Sequence, residues 1–166
     1  MNGPGRFDPA EMLAVLDANR VQFVGIGGVA VQAWGHQRTT RDLDLLISPA
    51  PENLARLAEA LRALGAELYT HPADSERLTL PADAEFLARK TCWNLFTSAG
   101  GLDLWVGTRD LTGARGNYDQ LEARATRVKL ANATVAVIGK DDLIALKLAA
   151  GRERDLDDVA ALTRSR

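Results

Sequence analysis

The sequence of 166 residues predicts one α/β (α+β) domain: a mixed central β-sheet flanked by helices and closed by a C-terminal helix pair. Three observations lead there. Apolar runs of strand length at 21–26, 43–47, 92–97 and 102–106 alternate with stretches whose apolar residues recur at helical spacing. The pair Gly27-Gly28 stands where the first such run gives way to a helix. Two helical patterns, 140–149 and 153–163, close the chain with Gly151 between them. There is no internal repeat, low-complexity tract or linker. The whole of 1–166 is therefore read as one unit, with a sheet-containing core over about 9–138 and the helix pair over about 140–163.

The elements follow in order. Asp8-Pro9-Ala10-Glu11 starts a helix over 9–19, with Asp8 as cap and proline at the first helical position. After the strand at 21–26, Gly27-Gly28 opens a helix over 28–36 whose apolar side carries Val29, Ala30, Ala33 and Trp34. Pro51 begins the next helix, where Leu54, Leu57, Leu61 and Leu64 form a core stripe that Gly65 ends. The 66–91 segment predicts one or two short strands and a helix over 83–89 capped by Asp83. The runs 92–97 and 102–106 form a hairpin through Ser98-Ala99-Gly100-Gly101, and a loop spans 107–124. A second pair, 127–130 and 134–138, turns at Ala131-Asn132-Ala133, and His71-Pro72 reads as loop.

Composition narrows the class. The chain is 46% hydrophobic and 25% charged, ordinary for a globular protein, and no apolar run approaches the roughly 20 residues of a membrane span. The N-terminal MNGPGRFDPAE lacks the basic and apolar regions of a signal peptide, and the lone Cys92 has no internal disulfide partner, so a cytoplasmic setting is expected. A net charge of −2 does not advertise a nucleic-acid binder, and Arg115, Arg124, Arg127 and Lys129 read first as solvated loop and strand charges. His36 reads as surface loop, Cys92 as a small buried residue, and Trp34, Trp93 and Trp105 as core.

The chemistry lies in the acids. Asp42 and Asp44 start a strand, so their side chains share one face about 7 Å apart at Cα. Two carboxylates so placed repel unless a cation sits between them, and Mg²⁺ favours such carboxylates together with water and phosphate oxygens. Asp103, flanked by Leu102 and Leu104, is a third acid in a strand. If the two strands are neighbours the three converge, at a spacing suited to two metals about 3.5–4 Å apart. A strand ending in Gly-Gly before a helix also makes an anion site of bare backbone amides, with Arg38, Thr39, Thr40 and Arg41 close by in sequence.

These residues resemble the nucleotidyltransferase superfamily that includes DNA polymerase beta. Ile26-Gly27-Gly28, a gap over 29–41, then Asp42-Leu43-Asp44, with Asp103 as third acid, is similar to its signature. The run from Gly35 to Asp42 resembles the Gly-x-x-Arg-x-Thr-x-Asp variant of small single-domain bacterial members, including the abortive-infection toxin-like group. Lys147, Arg152, Asp155 and Asp158 match their tail motif. The resemblance implies a nucleotidyltransferase fold and transfer of an NMP from an NTP to an acceptor with release of pyrophosphate. It implies two Mg²⁺ ions, or Mn²⁺ in their place. Asp42, Asp44 and Asp103 would be metal ligands and catalytic, and Asp103 would accept the acceptor's proton. Gly27 and Gly28 would cradle the β- and γ-phosphates, and Arg38, Thr40 and Lys147 would complete nucleotide binding. The acceptor stays open among RNA or tRNA, a protein hydroxyl and a small molecule such as an aminoglycoside or lincosamide. The partner stays open between an antitoxin and a second copy of the chain. No residue selects ATP over the other NTPs.

Two other readings compete. Gly25-Ile26-Gly27-Gly28-Val29-Ala30 also fits the dinucleotide pattern, with Asp44 downstream, but that reading leaves Asp103 without a role. A non-catalytic nucleotide-binding or toxin–antitoxin interaction module is the other. Retention of all three acids argues against it, because without a metal they are a liability. Arg154 and Asp158, four apart on a helix, read as a structural pair.

Overall fold

The computed structural model describes residues 7–69, 77–130 and 132–164. The expected His71-Pro72 loop and Ala131 lie outside the described residues. Among the described residues the chain runs α1 (Pro9–Ala18), β1 (Phe23–Ile26), α2 (Gly27–Ala33), β2 (Asp42–Ile47), α3 (Pro51–Ala63), β3 (Glu67–Tyr69), β4 (Arg77–Thr79), α4 (Ala84–Leu87), β5 (Cys92–Thr97), β6 (Gly100–Val106), α5 (Tyr118–Ala123), β7 (Thr126–Leu130), β8 (Ala133–Val137), α6 (Lys140–Ala150) and α7 (Glu153–Arg164). The strands form one mixed sheet in the order β4-β3-β5-β6-β2-β1-β8-β7.

Local sequence accounts for most boundaries. Asp8 accepts from the Glu11 amide and Pro9 takes the first helical position of α1. Asp83 caps α4 by accepting from the Phe86 amide at 2.7 Å. The α3 stripe of Leu54, Leu57, Leu61 and Leu64 is fully buried, as its spacing requires. Gly151 ends α6 in the left-handed conformation at φ 63°, so Lys147 and Arg154 belong to separate helices.

The 107–124 stretch, expected to be loop, contains α5. Its signal was a capping box: the Asn117 side chain accepts from the Gln120 amide at 3.0 Å, and the Gln120 side chain accepts from the Asn117 amide at 2.9 Å. Asn53 is another residue the sequence did not single out. It is fully buried, accepts from the Gln22 amide and donates to the Gln22 and Ser48 carbonyls, joining the start of β1 to the end of β2.

Register decides one of the two competing readings. β2 runs parallel to β6 with Asp44 opposite Asp103 and Asp42 opposite Gly101. β1 runs antiparallel to β2, with Ile26 opposite Asp44. A dinucleotide fold needs its first two strands parallel, joined by a right-handed crossover. The antiparallel β1–β2 pair therefore overturns the dinucleotide reading of Gly25 to Ala30. No helix among the described residues is long and apolar enough to cross a membrane.

Candidate active site

Strand alternation builds the site. Along β2, Leu43 and Leu45 are fully buried while Asp42 and Asp44 share the opposite face. Along β6, Leu102 and Leu104 are buried and Gly101, Asp103 and Trp105 take the acid side. Because β2 and β6 are in-register neighbours, Asp103, far away in sequence, comes to the same place as Asp42 and Asp44. The two strands stand about 4.8 Å apart.

The electrostatics record that meeting. Burial, then the charges of Asp103 and Asp42, push the Asp44 carboxyl up to about 6, against partial relief from the Gly28 amide that donates to it and from the Lys147 charge. Burial also raises Asp103, opposed by a hydrogen bond from Asn94 and reinforced by Asp42. Cys92, expected to be a buried apolar residue, is half-buried, and burial with the nearby Asp103 and Asp44 charges raises its thiol pKa.

The glycines have a role beyond turning the chain. Gly27 sits at φ +63°, and a Cβ there would overlap the Asp44 carboxylate. A Cβ on Gly28 would lie 2.5 Å from Thr40 Oγ1, and one on Gly101 would overlap Asp42 Oδ1. The acidic side chains occupy the space these glycines leave. The site thus requires glycine at the start of α2, just past β1, and on β6.

The remaining candidates form a second cluster. Arg38 pairs with Asp158 at 2.8 Å, and Lys147 Nζ lies 2.9 Å from Asp158 and 2.8 Å from Asp155. Arg152 Nε donates to Asp155 at 2.6 Å. Burial raises the Asp155 carboxyl, but hydrogen bonds from Arg152 and Lys147 outweigh it and hold the group below its ordinary range. The tail motif is therefore one ion-pair network, spread over α6, the link at Arg152 and α7, that grips the segment before β2. Arg154 donates to the Thr39 carbonyl, where a pair with Asp158 was expected, because Arg38 and Lys147 already hold that acid. Thr40 Oγ1 donates to the Asp42 carbonyl at 3.1 Å, and His36 Nε2 lies 3.9 Å from Asp158.

Beyond Asp103 the acid face continues across β5 toward β3. A cavity of about 410 Å³ is lined by Asp42, Tyr69, Asn94, Leu95, Phe96, Gly101 and Asp103. The Arg77 guanidinium lies 4.1 Å from the Phe96 ring centroid, at the outer side. Of the core-expected tryptophans, Trp93 is buried and donates to the Leu87 carbonyl, while Trp34 and Trp105 are half-buried. Arg124 pairs with Asp142 at 2.8 Å and Arg127 with Glu122 at 2.7 Å, which dissolves any basic patch there.

The donor set suits a hard divalent cation: three carboxylates share one face, burial and neighbouring charge raise the proton affinity of Asp44 and Asp103, and glycines leave room for Asp42 and Asp44. Among the described residues no three acidic, imidazole or thiol groups are already gathered to grip a metal. Mg²⁺ in general takes one or two carboxylates and completes its shell with waters and phosphate oxygens.

A prediction follows from the raised Asp44 pKa. Cation binding needs the ionised acid, so protons compete as the pH falls through about 6. At Mg²⁺ ten times its Kd, stability at pH 7.5 rises by about 1.4 kcal/mol, or ~3–6 °C in Tm. At pH 5 the same Mg²⁺ concentration leaves only about 0.4 kcal/mol of that gain, measured by melting with MgCl₂ against EDTA.

The comparisons with known proteins bear on the family and the fold. The family of nucleotidyl transferase AbiEii toxins, type IV TA system, matches over residues 13–166. Among curated protein sequences none matches the chain. Among solved structures, the lincosamide antibiotic adenylyltransferase LnuA, with lincomycin bound, is similar at 17% identity and a TM-score of 0.62 over 98% of this chain and 100% of that one. TM1012 of Thermotoga maritima, a proposed nucleotidyltransferase, is similar at 11% identity and a TM-score of 0.57 over 98% of both chains. At such identities the two structures speak to the fold alone.

Proposed function

The chain belongs to the nucleotidyl transferase AbiEii toxin family, and from that premise we propose that it transfers an NMP from an NTP to an acceptor hydroxyl at the Asp42–Asp44–Asp103 cluster, releasing pyrophosphate. The observation that carries this reading is the register that sets Asp103 beside Asp44. Asp42, Asp44 and Asp103 would hold Mg²⁺, or Mn²⁺ in its place. When bound, the ions supply Lewis-acid stabilisation of the attacking and leaving oxygens.

The chain's own groups do the rest. Asp103 accepts the proton of the acceptor hydroxyl as that oxygen bonds to the α-phosphorus, and the bond to pyrophosphate breaks. A carboxyl raised by burial, as Asp103 is, suits that transfer. The triphosphate lies toward Gly27 and Gly28, with Arg38, Thr40 and Lys147 behind. Support comes from Thr40 and Arg38 abutting Gly28, and from the Lys147 charge acting on Asp44. The acceptor enters from the other side, through the cavity bounded by Tyr69, Asn94 and Phe96. An RNA or tRNA end, a protein hydroxyl and a small molecule each present the hydroxyl this step needs. An antitoxin is the regulatory partner a toxin family implies.

The test is incubation with each α-labelled NTP, Mg²⁺ and cell extract. Wild-type protein labels one class of acceptor, and Asp42→Ala and Asp103→Ala do not, although both fold. Equal labelling by all three proteins overturns the assignment.

A further inference from the structure

Asp103 has a partner that the proposed chemistry does not use. Asn94, exposed on β5, lies opposite Asp103 in register, and its Nδ2 donates to Asp103 Oδ1 at 2.8 Å. Asp103 is thus held between an amide on one neighbouring strand and Asp44 on the other. An ionised carboxylate only accepts, so the amide must present its nitrogen to it.

Asparagine is a poor strand residue, and its place in the middle of β5 conflicts with local preference. Such a conflict is expected where a site requires it. The side-chain type also matters. A lysine or arginine here would neutralise the acid, and a carboxylate would add a fourth like charge. An amide ties down one oxygen and leaves the acid's charge in place.

Resting on the nucleotidyltransferase reading, we propose that Asn94 is a positioning residue: its amide fixes one oxygen of Asp103 so that the carboxylate is presented to the cation shared with Asp42 and Asp44. Asn94 touches neither the cation nor the reacting atoms in this role. It acts through Asp103, as outer hydrogen-bond partners of metal ligands do elsewhere.

The test is direct Mn²⁺ binding by electron paramagnetic resonance on the full chain without nucleotide, alongside steady-state kinetics. Asn94→Ala weakens Mn²⁺ binding by about tenfold. It lowers kcat while KM for NTP stays near the wild-type value. Asn94→Gln, which keeps an amide, recovers most of the loss. Asn94→Leu, similar in size and without a donor, repeats the alanine result and serves if the alanine variant does not fold. Wild-type Mn²⁺ affinity in Asn94→Ala or Asn94→Leu, with affinity lost in Asp103→Ala, overturns the role of Asn94 alone. A wild-type protein that binds no Mn²⁺ overturns the underlying reading and this proposal with it.

Discussion

Asp44→Asn abolishes NMP transfer, lowering kcat by about 10³-fold or more, while the folded protein becomes more stable at neutral pH. The two effects share one cause. Asp44 is held at a pKa of about 6 by burial and by the charges of Asp103 and Asp42, so at pH 7 it is a negative charge the fold opposes. Asparagine removes the charge and keeps an oxygen that accepts the Gly28 amide. The folded pKa lies above the ordinary value of 3.8, so the folded chain takes up its proton more readily than the unfolded one. This group's contribution to stability therefore falls as pH rises from about 4 to about 6, and it is unfavourable above that window. The variant should gain of order 1 kcal/mol at pH 7 and nothing below pH 4. Urea melts at the two pH values, with labelled-NTP turnover, measure both signs. A variant less stable than wild type at pH 7 contradicts the account of the acids as mutually repelling.

Lys147→Met is the second large effect, and it is a loss of stability. Lys147 is 7% exposed and holds Asp155 and Asp158, both buried. Methionine fills the volume but leaves two buried carboxylates with less compensation. Breaking a buried pair costs about 3 kcal/mol, which corresponds to ~6–12 °C in Tm for a chain of this size. Arg152 and Arg38 still hold Asp155 and Asp158, so the low end of the usual range applies. Adding Asp155→Asn to Lys147→Met should recover part of the loss. If Lys147 served the triphosphate alone, the melt would not move and only KM would rise. Differential scanning calorimetry with NTP titration separates the two.

Most of the fold was legible because its signals are local. Asp8-Pro9, Pro51, Asp83 and the leucine stripe of α3 each act within a turn or two of themselves. α5 was missed because 107–124 holds three turn-favouring glycines, Gly107, Gly113 and Gly116, and because the Asn117…Gln120 capping box does not follow from hydrophobic spacing. The acids were legible as a set, but their meeting depends on β2 and β6 being neighbours, which no local pattern encodes. The same holds for the glycines. Spacing marks Gly27 and Gly28 as a turn, whereas their closeness to Asp44 and Thr40 exists only once α2 packs against β2 and the segment before it. Asn94 and Asn53 carry no motif; their partners are known once register is known. The partner of Asp158 was misassigned for this reason: an i,i+4 rule sees one helix, and Arg38 and Lys147 reach that acid from elsewhere.

The α6–α7 ion-pair network has a consequence for biogenesis. Ribosomes deliver the N-terminal portion first. The carboxylate strands are therefore extruded before Lys147, Arg152, Asp155 and Asp158 exist to brace the segment carrying Arg38 and Thr39. A nascent chain arrested upstream of Lys147 would display every acid yet lack that brace. Competence would then arrive late in translation.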